Sequence, residues 1–147
     1  MTKAFQALLS GLFFTFILDF FIFLGIKLHY IDANAIEVYF NTLFADHQSF
    51  FLFFGATFLL GYLVVYIESF MPKLILLGAL FLVVLSTLIP PVGHSAGELL
   101  LMQKDATLKD KKHVYRGDIL YNGRKDIVFF DKEINKKIIL KKENLIQ

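Results

Sequence analysis

Ala7-Leu-Leu-Ser-Gly11-Leu-Phe-Phe-Thr15-Phe-Ile-Leu-Asp19 lies inside the first apolar run of the chain. Ala7, Gly11 and Thr15 recur at every fourth residue, and Asp19 takes the next step. Residues four apart stand nearly above one another on a helix, so one face is small, small, small and then a carboxylate. In lipid, such a stripe lets a second helix come close. A carboxylate at that depth costs several kcal/mol unless it is protonated, paired or turned to water. The stretch predicts a membrane-spanning helix with an intramembrane polar site at Asp19, with Thr15 one turn below it.

Composition points the same way. Of 147 residues, 56% are hydrophobic, and most of the 18 Phe precede residue 82. Apolar runs of this length suit a bilayer rather than a soluble core. Without Cys there is no disulfide framework and no thiolate chemistry. The formal net charge is only +2, but its distribution is uneven. Before residue 104 the acidic groups outnumber Lys, and from residue 104 onward Lys and Arg outnumber the acidic groups.

Working outward, the first run covers about 5–26 and is long enough to span. Ala33-Asn34-Ala35 resembles a signal-peptidase site, but the preceding run is too long for a signal h-region and contains Asp19, so the segment is expected to be retained. Apolar residues at helical spacing over about 35–44 predict a short amphipathic helix at the membrane interface. A second span follows over about 50–67, and a third over about 74–92, ending at Pro90-Pro91. Between them, the turn 68–73 is so short that a tight antiparallel hairpin is expected, with Glu68 near Lys73.

From Thr107 the pattern changes to alternation. Asn122-Gly123 signals a type I′ hairpin turn. Strands are expected over 114–121, 124–131 and 137–141, with Leu145 and Ile146 as a short fourth element. A unit this small rarely buries enough surface to fold alone, so an added strand from 99–109 or packing against itself is expected. The predicted fold is an integral membrane α-helical unit, three transmembrane helices plus a short interfacial helix, with a small C-terminal β-meander or barrel-like domain. The domains are a transmembrane domain over 1–92, a connector over 93–106 and a basic β domain over 107–147.

Three spans put the termini on opposite sides. Counting Lys and Arg in the loops places the C-terminus in the cytoplasm. The Lys-, Ile- and Phe-rich composition suggests a bacterial inner membrane.

The expected helix-packing residues are Ala7, Gly11, Thr15, Gly55 and Gly61, serving contacts within the chain or between copies. Arg116, Arg124, Lys125, Lys136, Lys137, Lys141 and Lys142 form the expected docking set for lipid or a partner protein. The aromatics among them read as core alternating with solvated charge, so nucleic acid is not an expected partner. His29, Asp32, Asp46 and His47 lack the spacing of a defined metal site. No catalytic constellation, metal or cofactor is expected. The expected function is a homo-oligomeric membrane subunit whose cytoplasmic β domain docks a protein or regulates the assembly. The alternatives are an ion- or proton-conducting pore around Asp19 and an accessory subunit of a larger membrane complex.

Overall fold

The structure is a computed structural model and describes residues 2–110 and 113–146. Helix α1 (Lys3–Ile26) has one ionisable residue, Asp19, after Lys3 and no glycine or proline break that its packing does not use. It runs directly into a π-turn, Lys27–Ile31. Together they form one rod of 29 residues, about 43 Å long at the usual helical rise. That exceeds a hydrocarbon core of about 30 Å, so one end of the rod extends past any bilayer that holds the other. The expected break after residue 26 is therefore absent.

Helix α2 (Phe40–His47) lies across the foot of α3 (Phe50–Tyr66), the two bent by 85°. Ser49 caps α3 by accepting from the Leu52 N–H at 3.5 Å. The interfacial helix expected over 35–44 starts later than its periodicity suggests. Ala35 has a φ of 48° and residues 36–39 run without regular structure, with Ile36 buried against the sheet. Helix α4 (Phe70–Leu85) continues as a 3₁₀ turn to Leu88. Among the described residues, two helices, Lys3–Ile31 and Phe70–Leu88, are long and apolar enough to cross a membrane, and there are three if α2 and α3 count as one bent segment.

The small stripe is filled by α3 of the same chain. A Cβ on Gly11 would run into the Thr57 carbonyl, and one on Gly61 into the Ala7 carbonyl. Thr57 Oγ1 donates to Thr15 Oγ1 at 3.4 Å in the same seam. Gly55, by contrast, faces open space. Helix α4 joins α1 and α3 around Leu18, Leu60 and Val84. Glu68 and Lys73, expected chiefly as solvated charges at the turn, form no ion pair with each other. Lys73 Nζ instead donates to the Val64 carbonyl at 3.1 Å.

The expected connector over 93–106 is largely helix. Helix α5 (Pro90–Leu101) begins on Pro90, where a missing N–H costs nothing. Gly93 and Gly97 are points of close approach. A Cβ on Gly93 would meet the carbonyls of Thr87 and Gly25, and one on Gly97 the ring of Tyr30.

Strands β1 (Gln103–Asp110), β2 (Val114–Asn122), β3 (Asp126–Asp131), β4 (Lys136–Lys141) and β5 (Leu145–Ile146) form one sheet in the order β4-β3-β2-β1-β5. Every pairing is antiparallel. The sheet begins at Gln103, ahead of the expected boundary at 107, and β1 is the added strand that so small a meander needs. The expected type I′ turn is not made. No described glycine has a positive φ, and the link from β2 to β3 closes by Gly123 N–H donating to the Asp126 carbonyl at 3.0 Å. The left-handed residue lies in the next turn, at Asn135 with a φ of 50°.

One sheet face has its own core of Ile119, Ile127 and Phe129. The other face joins the rod: Phe23, Ile26, Tyr30 and Ile31 form a single cluster with Leu101, Leu120, Tyr121 and Val128. The β domain is therefore fused to the helical body through apolar packing.

Candidate functional site

Asp19 is half-buried, and its Oδ2 accepts from Gln48 Nε2 at 2.8 Å. Gln48 sits at the α2–α3 bend, so the carboxylate lies level with the start of α3. The side-chain hydroxyls of Thr15, Ser86 and Thr87 are used elsewhere. Thr15 pairs with Thr57, Ser86 Oγ donates to the Val83 carbonyl, and Thr87 Oγ1 is placed to donate to the carbonyls of Val84 and Phe21. Asn at position 19 can still accept from Gln48. We expect Asp19→Asn to lose no more than about 1 kcal/mol, the difference between a charged and a neutral hydrogen bond. Asp19→Leu, which strands the Gln48 amide, should lose about 1–3 kcal/mol. Thermal melts in mild detergent check both, and a change in proton flux for Asp19→Asn in liposomes would support a pore.

The richest constellation is the seam between the first loop and the sheet. At its centre Tyr30 Oη donates to the Leu120 carbonyl at 2.9 Å. Leu120 falls at the register shift between Ile119 and Tyr121 on β2, where the ladder is interrupted. At the rim Arg124 clamps Asp46: its Nε lies 2.9 Å from both carboxylate oxygens and its Nη2 2.5 Å from one. Lys137 Nζ donates to the carbonyls of Asn34 at 2.6 Å and Ala35 at 3.1 Å. The His47 ring packs on Tyr121 with centroids 5.3 Å apart. Burial pushes the Tyr121 phenol up, and the Asp46 carboxylate adds to this. A groove of about 340 Å³ opens beside this rim, with Glu37, Tyr121 and Lys137 among its walls.

A second polar knot holds the bulge in β1. Asp118 Oδ1 accepts the Asp105 N–H at 2.8 Å, and Lys132 Nζ lies 3.0 Å from Asp118 and 2.6 Å from Asp105. Asp105 itself has a φ of 55°. Burial opposes charge on Asp118, but the Asp105 N–H and the Lys132 ammonium outweigh it and hold the carboxyl below the usual range. Hydrogen bonds from Lys132 to Asp105 and Asp118 push the ammonium up. A depressed carboxyl contributes stability that is present above its unfolded value, about 3.9, and is lost as pH falls through the lower folded value. A raised ammonium contributes stability that is present below about 10.4 and is lost as pH rises through its folded value. The knot should therefore be intact across the neutral range. Its acid loss should vanish in Asp118→Asn, as read by melting temperature between about pH 2 and 5. An unchanged acid limb would remove Asp118 from this role.

The structure splits the expected docking set. Arg124 and Lys137 hold the seam together. Arg124, Lys125, Lys141 and Lys142 line one groove of about 520 Å³ at one end of the sheet. Arg116 and Lys136 are exposed on other parts of the sheet. Among the described residues, no three His, Asp or Glu side chains gather as metal ligands. His29 Nε2 lies 2.8 Å from the Leu88 carbonyl and Asp32 pairs with Lys27.

Gln48, Tyr30 and the Asp118–Lys132 knot were not singled out in the sequence. The Gly93–Gly97 spacing is a signal for some close neighbour, but nothing in the sequence identifies it as Tyr30. No family model, no curated protein and no solved structure matches the chain.

Proposed function

We propose that this chain is a non-enzymatic integral membrane protein of three spans that carries a β docking domain rigidly on the cytoplasmic face of a bacterial inner membrane. The observation that carries this reading is the single apolar cluster joining the end of the first rod to the sheet. Through it, whatever binds the β domain is coupled to the helices directly rather than through a linker. The side assignment rests on the excess of Lys and Arg at the sheet end of the molecule. The partner role is that of an accessory subunit in a larger membrane complex. Self-association is the weaker form of the proposal, because the small stripe that motivated it is occupied by α3.

Mild-detergent extraction from native membranes tests this. The expected result is a complex of fixed stoichiometry containing a second polypeptide. Masses at integral multiples of 16.9 kDa, with no second polypeptide, would replace the accessory role with a homo-oligomer. A strictly monomeric chain would overturn both. Protease treatment of sealed inverted vesicles should cut within 103–147, and protection there would reverse the orientation.

A further inference from the structure

We propose that the membrane-facing end of the β domain seats anionic phospholipid headgroups, in the groove formed by Arg124, Lys125, Lys141 and Lys142. The proposal rests on the membrane reading above and adds a lipid class to it. In that groove these four cations face two carboxylates, Asp126 and Glu143. Arg124 is engaged by Asp46, and Lys141 stands 4.0 Å from Glu143, at the limit of an ion pair. Among the described residues, no ion pair holds Lys125 or Lys142.

The sheet register sets where this charge lies. Asp126 is opposite Lys141, and Lys142 N–H donates to the Lys125 carbonyl at 2.9 Å. The β2–β3 loop and the end of β4 are thus at the same end of the sheet. That end is bolted to α2 through Arg124 on Asp46 and Tyr121 against His47. Asp46 precedes by four residues Phe50, where α3 begins. There Phe50, Phe51 and Leu52 are 71%, 94% and 74% exposed. Uncommitted lysines on the sheet end that is tied to α2, with bare apolar side chains where α3 follows α2, match the order of a bilayer, phosphate next to acyl chain. An acidic protein surface would satisfy the charges and leave those side chains bare. Each Lys held near an anionic leaflet adds attraction that falls off within a Debye length.

The test uses the full chain in nanodiscs of phosphatidylcholine, with or without phosphatidylglycerol. Hydrogen exchange is read over 123–126 and 141–144. Phosphatidylglycerol should slow exchange there by roughly fivefold to thirtyfold, the scale of one or two lysines at an anionic surface at about 1 kcal/mol each. The effect should disappear in the triple variant K125Q/K141Q/K142Q and persist in R116Q/K136Q, both melting as the parent does. Equal exchange in the two nanodiscs overturns the proposal. So does equal protection by soluble glycerol 1-phosphate in neutral nanodiscs, which would make the site a free-phosphate site. A chain that inserts but ignores phosphatidylglycerol loses this proposal alone, whereas a chain that nanodiscs do not retain loses the membrane reading as well.

Discussion

Gly11→Leu should unfold the helical body at a temperature well below the parent, while Gly55→Leu should be nearly silent. The two glycines lie on different helices and meet opposite surroundings. A Cβ at Gly11 meets the Thr57 carbonyl and the backbone of Gly61, neither of which can move without parting α1 from α3. A Cβ at Gly55 meets nothing within contact range. Overpacking generally costs about 1–3 kcal/mol. Backbone in direct apposition leaves less room to relax than a side chain would, so Gly11→Leu belongs at the top of that range. Circular dichroism melts in mild detergent decide it. Equal melting temperatures for the two variants would mean that α1 and α3 do not meet along this stripe.

Tyr30→Ala should release the β domain while leaving the α1–α3 seam closed. The Tyr30 side chain is almost fully buried, rests on Gly97 and donates to Leu120. Removing a buried aromatic costs about 3–5 kcal/mol. Tyr30→Phe keeps the ring and strands only the Leu120 carbonyl, for about 1–3 kcal/mol. Hydrogen exchange locates the damage. In Tyr30→Ala, exchange should rise across β2 and β3 and stay slow around Thr15 and Thr57. A uniform rise over the whole chain would mean that sheet and helices unfold as one cooperative unit. No change would mean that the seam is held by its rim, through Arg124–Asp46 and Lys137, rather than by its core.

Helix existence was readable wherever an apolar run exceeded any strand: α1 and α3 start close to the expected runs, whereas α4 starts at Phe70 instead of 74 and gives way by Leu88, leaving 90–92 to α5. Their ends were less readable. The first run ends at Ile26 in hydropathy, yet the helix persists to Ile31 because α5 and the sheet cover its last turns. Pro90-Pro91 marked a stop correctly, but a proline pair that ends one helix also suits the first turn of the next. The basic residues were identified by type alone. Which of them face a neighbour and which remain uncommitted depends on how the sheet meets α2.

From local information came the apolar rods, the small-residue face, the alternation of the β domain and the charge difference between the two ends. These depend on period and composition, which are properties of neighbouring residues. The tertiary structure alone decided that the stripe is closed by α3, that Asp19 meets Gln48, and that Tyr30 reaches Leu120 across ninety residues of chain. Such pairings are set by which surfaces remain to be buried once the elements have formed. No local pattern encodes that choice, because each partner was equally compatible with several others until packing removed the alternatives.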